Sequence, residues 1–376
     1  MTASPPSPRF LFVGPRPDAP GGIAQFQSNL VRHVAEHAET HVLAFRRLYP
    51  RWSRAGRQPA DGSAEPVPAP VSPVVVPWSP RTWRTAGRLV ERYRPAVVVA
   101  QWWHPVLAPA LRSMIRTART VGARVVFVCH NSSPHERFPF QDSLSRRTLA
   151  EADVLLALSE PVAGALHELV PGVSIEVLAH PANVRAAGGD GVRAWRERIG
   201  PVEGPVILFF GNVRQYKGLE DLVAALPIVR RTVPATLVVA GRFFQSEERI
   251  RRLARDLGVR DAVKIFPSYV PVPDVSGLFE VADVVALPYR SASQSGIVAQ
   301  AALFQKPVVA TEVGGLPEAI GGRGIVVPPS DPASLAAGLV RALLDPPPAP
   351  LAPSAEWEDW RDALLSQAGL LEAVRR

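Results

Sequence analysis

Short runs of β-branched and aliphatic residues recur along this chain, each followed by a stretch whose apolar positions fall at helical spacing. That alternation constrains the fold more than any single motif. A strand buried on both faces has no polar positions to alternate with. Continuous apolar runs separated by amphipathic helices therefore mark a parallel sheet covered by helices. In the first half, strands are expected at 9–13, 41–45, 96–100, 124–129, 153–158 and 174–178, with helices at 23–36, 81–93, 106–120, 142–150 and 161–169. The pattern breaks over 180–204, where AGGDG (187–191) reads as a flexible connector. It then restarts, with strands at 206–210, 236–240, 262–266, 283–287, 307–310 and 324–327. The first helix of this second series carries Leu219, Leu222, Val223, Leu226 and Val229 on one face, and Pro227 is expected to kink its last turn.

Two such series give an α/β protein of two facing Rossmann-like, doubly wound domains, with ligand sites at the C-terminal ends of the strands. The expected division is a first domain over 1–182, a linker over 183–204, a second domain over 205–350 and a terminal helix within 351–376. That helix bears Trp357, Trp360, Leu364 and Leu365. Two placements are open: it crosses back to the first domain, or it caps the second.

Composition narrows the class. With 376 residues, 47% of them hydrophobic and 20% charged, the chain can bury two cores of ordinary size. No apolar run approaches the roughly 18 residues of a membrane span, and residues 1–8 lack the basic and apolar regions of a secretory signal. The single cysteine, Cys129, excludes an internal disulfide framework and fits a reducing, cytoplasmic setting. A net charge of +8 calls for an anionic partner, although arginine-rich coding explains most of the excess. Neither a recognition helix nor a stacking-aromatic motif is visible, so no nucleic acid is expected. The many prolines gather in connections at 66–80 and 346–353.

Four segments fall on loops after strands. GNVRQYKG (211–218) joins an apolar strand to a helix and places Arg214 and Lys217 three residues apart. A helix N-terminus with two cations suits a diphosphate; the plainer reading is a solvated cationic turn. Only three of the 42 basic residues are lysines, so Lys217 is not background. The Gly21-Gly22 pair precedes a helix and lets amides approach an anion, or simply turns the chain. His130 projects from the end of a buried strand, where it can hydrogen-bond a sugar hydroxyl or stabilise developing charge. Its spacing to His135 and Glu136 supplies no third convergent ligand, so no metal is expected. Finally, Ser293, Ser295 and Gly296 open a helix that runs into Gln300, followed by a Gly314-Gly315 turn.

Taken together, GNVRQYKG, SQSG (293–296) with QKPVVATEVGGLPE (305–318), HNSSPHE (130–136) and AFRRLYPRW (44–52) resemble the retaining nucleotide-sugar glycosyltransferases of family 4, which have the GT-B fold. The resemblance covers nearly the whole chain. It implies a first domain that binds acceptor and a second that binds the sugar donor. Arg214 and Lys217 would grip the diphosphate, and the segment holding Tyr269 and Val270 the nucleobase. His130 would lie beside the transferred sugar, with Arg214, Lys217 and His130 as the catalytic set. The Gly21-Gly22 loop would close over the phosphates, and Ser293, Ser295, Gly296 and Gln300 would complete the donor site. No cofactor is implied beyond the nucleotide-diphosphate sugar as co-substrate.

The sequence departs from the family at two glutamates separated by seven residues, one for the sugar hydroxyls and one for the ribose. Ala292 and Gln300 stand there, and Asn212 stands where many members carry the arginine that Arg214 replaces. The implied partners are a nucleotide sugar and a glycan or lipid-linked acceptor. The stretch with Arg46, Arg47, Tyr49, Arg51, Trp52, Arg54 and Arg57 suits peripheral contact with an anionic inner membrane face, or is a solvated loop. The alternative function is a GT-B-shaped nucleotide-sugar-binding protein that has lost turnover, as Ala292 permits.

Overall fold

The computed structural model describes residues 8–19, 21–48, 66–131, 140–181, 190–293, 295–350 and 356–370. The chain forms two compact units, Met1–Ala179 with Ala355–Arg376, and His180–Ser354.

The first unit runs β1 (Arg9–Gly14), α1 (Gly22–Ala35), β2 (Glu39–Phe45), β3 (Val71–Val75), α2 (Pro80–Tyr93), β4 (Val97–Trp102), α3 (Ala108–Thr120), β5 (Arg124–Cys129), α4 (Gln141–Leu149), β6 (Val154–Ala157), α5 (Glu160–Leu169) and β7 (Ser174–Val177). Its seven strands are parallel, in the order β3-β2-β1-β4-β5-β6-β7. Alternate residues of β1 serve opposite cores: Leu11 and Val13 face the α2 and α3 side, Phe10 and Phe12 the α1 side. Both faces of the inner strands are buried, which is why those strands read as unbroken apolar runs.

The second unit runs α6 (Asp190–Ile199), β8 (Val206–Phe210), α7 (Leu219–Arg230), β9 (Thr236–Ala240), α8 (Glu247–Asp256), β10 (Val263–Phe266), α9 (Val272–Val281), β11 (Val284–Leu287), α10 (Gly296–Leu303), β12 (Val308–Thr311), α11 (Leu316–Ile320), β13 (Ile325–Val327) and α12 (Pro332–Leu344). Its six parallel strands are ordered β10-β9-β8-β11-β12-β13. The apolar stripe of α7 is buried as its spacing predicts, and the helix continues through Pro227 to Arg230.

Three features differ from the sequence reading. β3 lies inside the proline-rich 66–80 segment read as a connection. It sits at the sheet edge, where Pro73 forfeits no ladder hydrogen bond on the open side. The expected linker over 183–204 holds α6, whose Trp195 and Ile199 are buried and whose indole donates to Asp274 O at 2.7 Å. Residues 190–199 are thus part of the second unit's core, while 187–189 of the glycine run lie outside the described residues. The terminal helix, α13 (Trp357–Gln367), belongs to the first unit. Its Trp360 is fully buried against Phe26 of α1 with ring centroids 4.9 Å apart, and the indole donates to Ala179 O at 3.0 Å. Of the two placements open in the sequence, the return to the first unit is the one that forms.

Candidate functional site

In a doubly wound sheet, loops leaving two neighbouring strands diverge where the strand order reverses, and the crevice they leave receives ligands. In the second unit the reversal lies between β8 and β11. GNVRQYKG leaves β8 and is braced from both sides. Toward β9, Val213 N donates to Arg242 O at 2.7 Å and Phe244 N to Val213 O at 2.9 Å. Toward β11, Arg290 N donates to Tyr216 O at 2.7 Å, while the Arg290 guanidinium grips Asp221 through bonds of 2.8 and 2.7 Å.

This bracing presents the two predicted cations. The Arg214 guanidinium lies 4.1 Å over the Phe244 ring, and Lys217 Nζ lies 4.8 Å from the Tyr289 ring centroid. Both are half-buried, and neither forms an ion pair with the described residues. Burial opposes the Lys217 charge and Arg214 repels it, yet the Tyr289 and Tyr216 oxygens outweigh both and hold its pKa above the ordinary value. A Cβ placed on Gly211 would stand 3.4 Å from both Lys217 Nζ and Ile297 Cδ1, so the ammonium borders the first turn of α10. A cation without an ion pair beside a helix start, with a second cation near it, is an arrangement that suits an anion.

At that start, Ser295 Oγ accepts from Ile297 N at 3.4 Å. Gln300, one turn further, is buried, and its Oε1 has no hydrogen-bond partner. A buried orphan acceptor is costly unless something donates to it. The 311–315 turn supports this loop. Gly315 N donates to Ser293 O at 3.0 Å, and Gly314, at φ 51°, comes so close to Ala292 that a Cβ would stand 1.7 Å from its carbonyl oxygen. The Ala292 side chain packs against the core. The His180 ring borders Gly296, where a Cβ would fall 2.8 Å from Cε1. Burial lowers the His180 pKa to about 4, against its 2.7 Å bond to Pro181 O.

Tyr269 and Val270 follow β10. Val270 is buried in the core, whereas Tyr269 is half-buried near Arg242. Burial lowers the pKa of Arg242 and the Tyr269 oxygen partly offsets it.

In the first unit the order reverses between β1 and β4. His130, just beyond β5, is 3% exposed, and its Nε2 lies 2.7 Å from Gln101 Oε1 at the end of β4. Phe26 stands edge-on to the imidazole, with centroids 5.1 Å apart. A Cβ on Gly14 would meet Gln27 Oε1 and the Gln101 side chain, so the three residues converge. Gln27 Nε2 donates to Pro15 O at 2.8 Å, while Gln27 Oε1 and Gln101 Nε2 have no partner. Gly21 caps α1 at φ 130° and Gly22 opens it; a Cβ on either would meet nothing within 4 Å. His135, Glu136, Gln294 and the Tyr49 to Arg57 stretch lie outside the described residues. Among the described residues no three His, Cys, Asp or Glu side chains converge on a metal site.

The structure thus brings Lys217 to the start of α10, with Arg214 near Lys217, in one unit and builds a buried amide–imidazole cluster in the other. Sequence reasoning missed Gln101, Arg242, Phe244, Tyr289 and Arg290. Each ends or closely follows a strand, so the positional rule that singled out Arg214 could have found them.

Two doubly wound parallel units, with the terminal helix returned to the first, are the GT-B architecture of glycosyltransferases. Anabaena Alr3699/HepE, solved in complex with UDP and glucose, superposes with a TM-score of 0.72 over 98% of each chain at 17% identity. Sucrose-phosphate synthase from Thermosynechococcus elongatus gives 0.71 over the same coverage, also at 17% identity. The family model for glycosyltransferase family 4 matches residues 20–185, and that for glycosyl transferases group 1 matches 204–345. The chain belongs to this family. A D-inositol 3-phosphate glycosyltransferase from Catenulispora acidiphila is 32% identical over 55% of this chain and 50% of its own length. A GDP-mannose-dependent alpha-(1-6)-phosphatidylinositol monomannoside mannosyltransferase from Mycolicibacterium smegmatis is 29% identical over 88% and 87%. The chain spans about half the length of the D-inositol 3-phosphate glycosyltransferases it matches.

Proposed function

We propose that this chain transfers a sugar from a nucleotide-diphosphate donor to an acceptor hydroxyl, with retention of anomeric configuration. One observation carries the reading: Lys217, without a carboxylate partner, borders the first turn of α10, and Arg214, also without one, stands close enough to repel its charge. In the reaction the bond between the anomeric carbon and the phosphate oxygen breaks, and its electron pair passes to the leaving diphosphate. Preformed cations and helix-end amides stabilise that growing charge, so no metal is required in this reading. The acceptor oxygen bonds to the anomeric carbon on the face the phosphate leaves, and its proton goes to a phosphate oxygen. His130 serves the transferred sugar, Tyr269 and Val270 lie on the nucleobase side, and Gln300 Oε1 accepts from the ribose.

For the acceptor we favour a lipid-linked or polysaccharide hydroxyl, met in the cytoplasm at the inner membrane face. The phosphatidylinositol mannoside named for the mycobacterial relative supports this choice. A thermal-shift screen against UDP, GDP, ADP and their sugars tests the donor side without an acceptor. One nucleotide diphosphate is expected to stabilise the protein, and stabilisation by none overturns the reading. A second reading, a nucleotide-sugar-binding protein without turnover, is favoured by the methyl of Ala292 where many members have a carboxylate. Donor stabilisation with no transfer or hydrolysis across candidate acceptors would select it.

A further inference from the structure

Two amide side chains of the first unit, Gln27 on α1 and Gln101 at the end of β4, are fully buried. Gln27 Oε1 and Gln101 Nε2 have no hydrogen-bond partner. One is an acceptor and the other a donor. They also converge: a Cβ on Gly14 would stand 2.8 Å from Gln101 Cγ and 2.9 Å from Gln27 Cδ, with Gln27 Oε1 nearer still. A buried polar group is costly when left alone. Here a small side-chain rotation, or one shared water, satisfies both at once.

The outer branches of the two amides are already committed. Gln27 Nε2 donates to Pro15 O at 2.8 Å, and Gln101 Oε1 lies 2.7 Å from His130 Nε2. A carboxamide carries its oxygen and its nitrogen on separate branches, so fixing one branch fixes what the other presents. The Pro15 carbonyl only accepts, which makes that branch of Gln27 the NH2 and leaves Oε1 to face Gln101. An oxygen there draws Gln101 Nε2 to itself and keeps Gln101 Oε1 for the imidazole. That oxygen requires a proton on His130 Nε2. A Gln101 amide turned over would instead present N–H to Nε2, which would then carry no proton. No ionisable group stands between Pro15 and His130 in this series.

We propose that Gln27 is a positioning residue for His130, acting through Gln101 to hold a proton on the imidazole Nε2. Its neighbour Phe26 stands edge-on to the same ring, so α1 fixes the place of the imidazole through one side chain and its protonation through the next. The catalytic meaning of that proton rests on the transfer reading above, in which His130 serves the transferred sugar. The relay itself is read without turnover, so the two fail separately.

The test is long-range proton–nitrogen NMR of the full chain labelled with 15N-histidine, with His130 assigned by the signals lost in His130→Gln. In the wild type, Nε2 of His130 is expected to be protonated. Gln27→Leu removes the acceptor that orients Gln101, and a substantial share of His130 should lose the Nε2 proton. Ser28→Ala, which deletes another unpartnered buried polar group of α1, should leave the His130 signals in place. In turnover, Gln27→Leu should lower kcat about tenfold, part of the roughly 10²–10⁴-fold that a positioned proton-transfer group contributes, and change donor KM by less than about twofold. In a Gln101→Leu background the same substitution should add nothing. Should Gln27→Leu melt early, Gly14→Ala reaches the same joint with both amides kept, because its methyl meets the far end of the Gln27 side chain. It is expected to shift the His130 signals in the same direction. An unprotonated Nε2 in the wild type overturns the proposal, as does an Nε2–H unmoved in folded Gln27→Leu or Gly14→Ala. So does an equal shift in Ser28→Ala, or a full further loss of kcat in the Gln101→Leu background.

Discussion

His130 Nε2 lies 2.7 Å from Gln101 Oε1, inside the first unit and nearly out of contact with solvent. An amide oxygen only accepts, so Nε2 carries a proton and donates it to Gln101 Oε1. A carboxylate in place of that amide would favour the imidazolium. Gln101→Glu is therefore expected to raise the His130 pKa and move the acidic limb of the kcat–pH profile upward. Gln101→Leu would strand a buried N–H at a cost of about 1–3 kcal/mol, lowering kcat more than it raises KM for the donor. A pH profile unmoved by Gln101→Glu would separate His130 from the chemistry.

Arg214→Ala and Lys217→Ala should each reduce kcat by about 10²–10³-fold, the range seen when one preformed donor is removed from a site of developing charge. Neither side chain holds the fold together, so unfolding midpoints should stay close to wild type. Arg214→Lys keeps the charge but loses the flat contact with Phe244, and should recover only part of the activity. Wild-type turnover in both alanine variants would remove the anion site.

Gly314 packs closely against the loop that carries Ala292 and Ser293. With a Cβ placed 1.7 Å from Ala292 O, Gly314→Ala must push the 291–295 loop away as well as bear the strain of φ 51°. A loss of more than about 1 kcal/mol in stability is expected, with a larger fall in nucleotide affinity measured by calorimetry. Gly322→Ala, also at positive φ but with open space around it, is the matched control.

His180 predicts a pH dependence of stability. Burial depresses its folded pKa to about 4 from the ordinary 6.5, so between those values the unfolded chain binds more protons than the folded one. Stability from this group is full above about pH 6.5 and declines as pH falls toward 4. Denaturant unfolding at several pH values should show a shallower decline for His180→Gln than for the wild type. Parallel curves would assign the acid sensitivity elsewhere.

The strands were legible because most are buried on both faces, the exposed edge strand β7 being an exception, and every expected strand forms within two residues of its predicted ends. The positions of Arg214, Lys217 and His130 were legible for a related reason: in doubly wound sheets the loops after strands line the ligand crevice. What stayed hidden depends on non-local geometry. Gln101 meets His130 only because β4 and β5 pair in the register Trp102 to Cys129. Phe244 and Tyr289 seat the two cations from other loops. Composition misled twice, since Pro73 is tolerated only because β3 is an edge strand and the glycines around 190 disguised a helix that buries Trp195.

The seat of Trp360 has a consequence for biosynthesis. Because α13 completes the core that contains Phe26, the second unit is an insertion within the first. While the ribosome is still making residues 180–354, the first unit has an apolar trough and no lid for it. A chain stopped at 354 should therefore bind hydrophobic dyes and aggregate from its N-terminal half, although every strand of that half has already been synthesised.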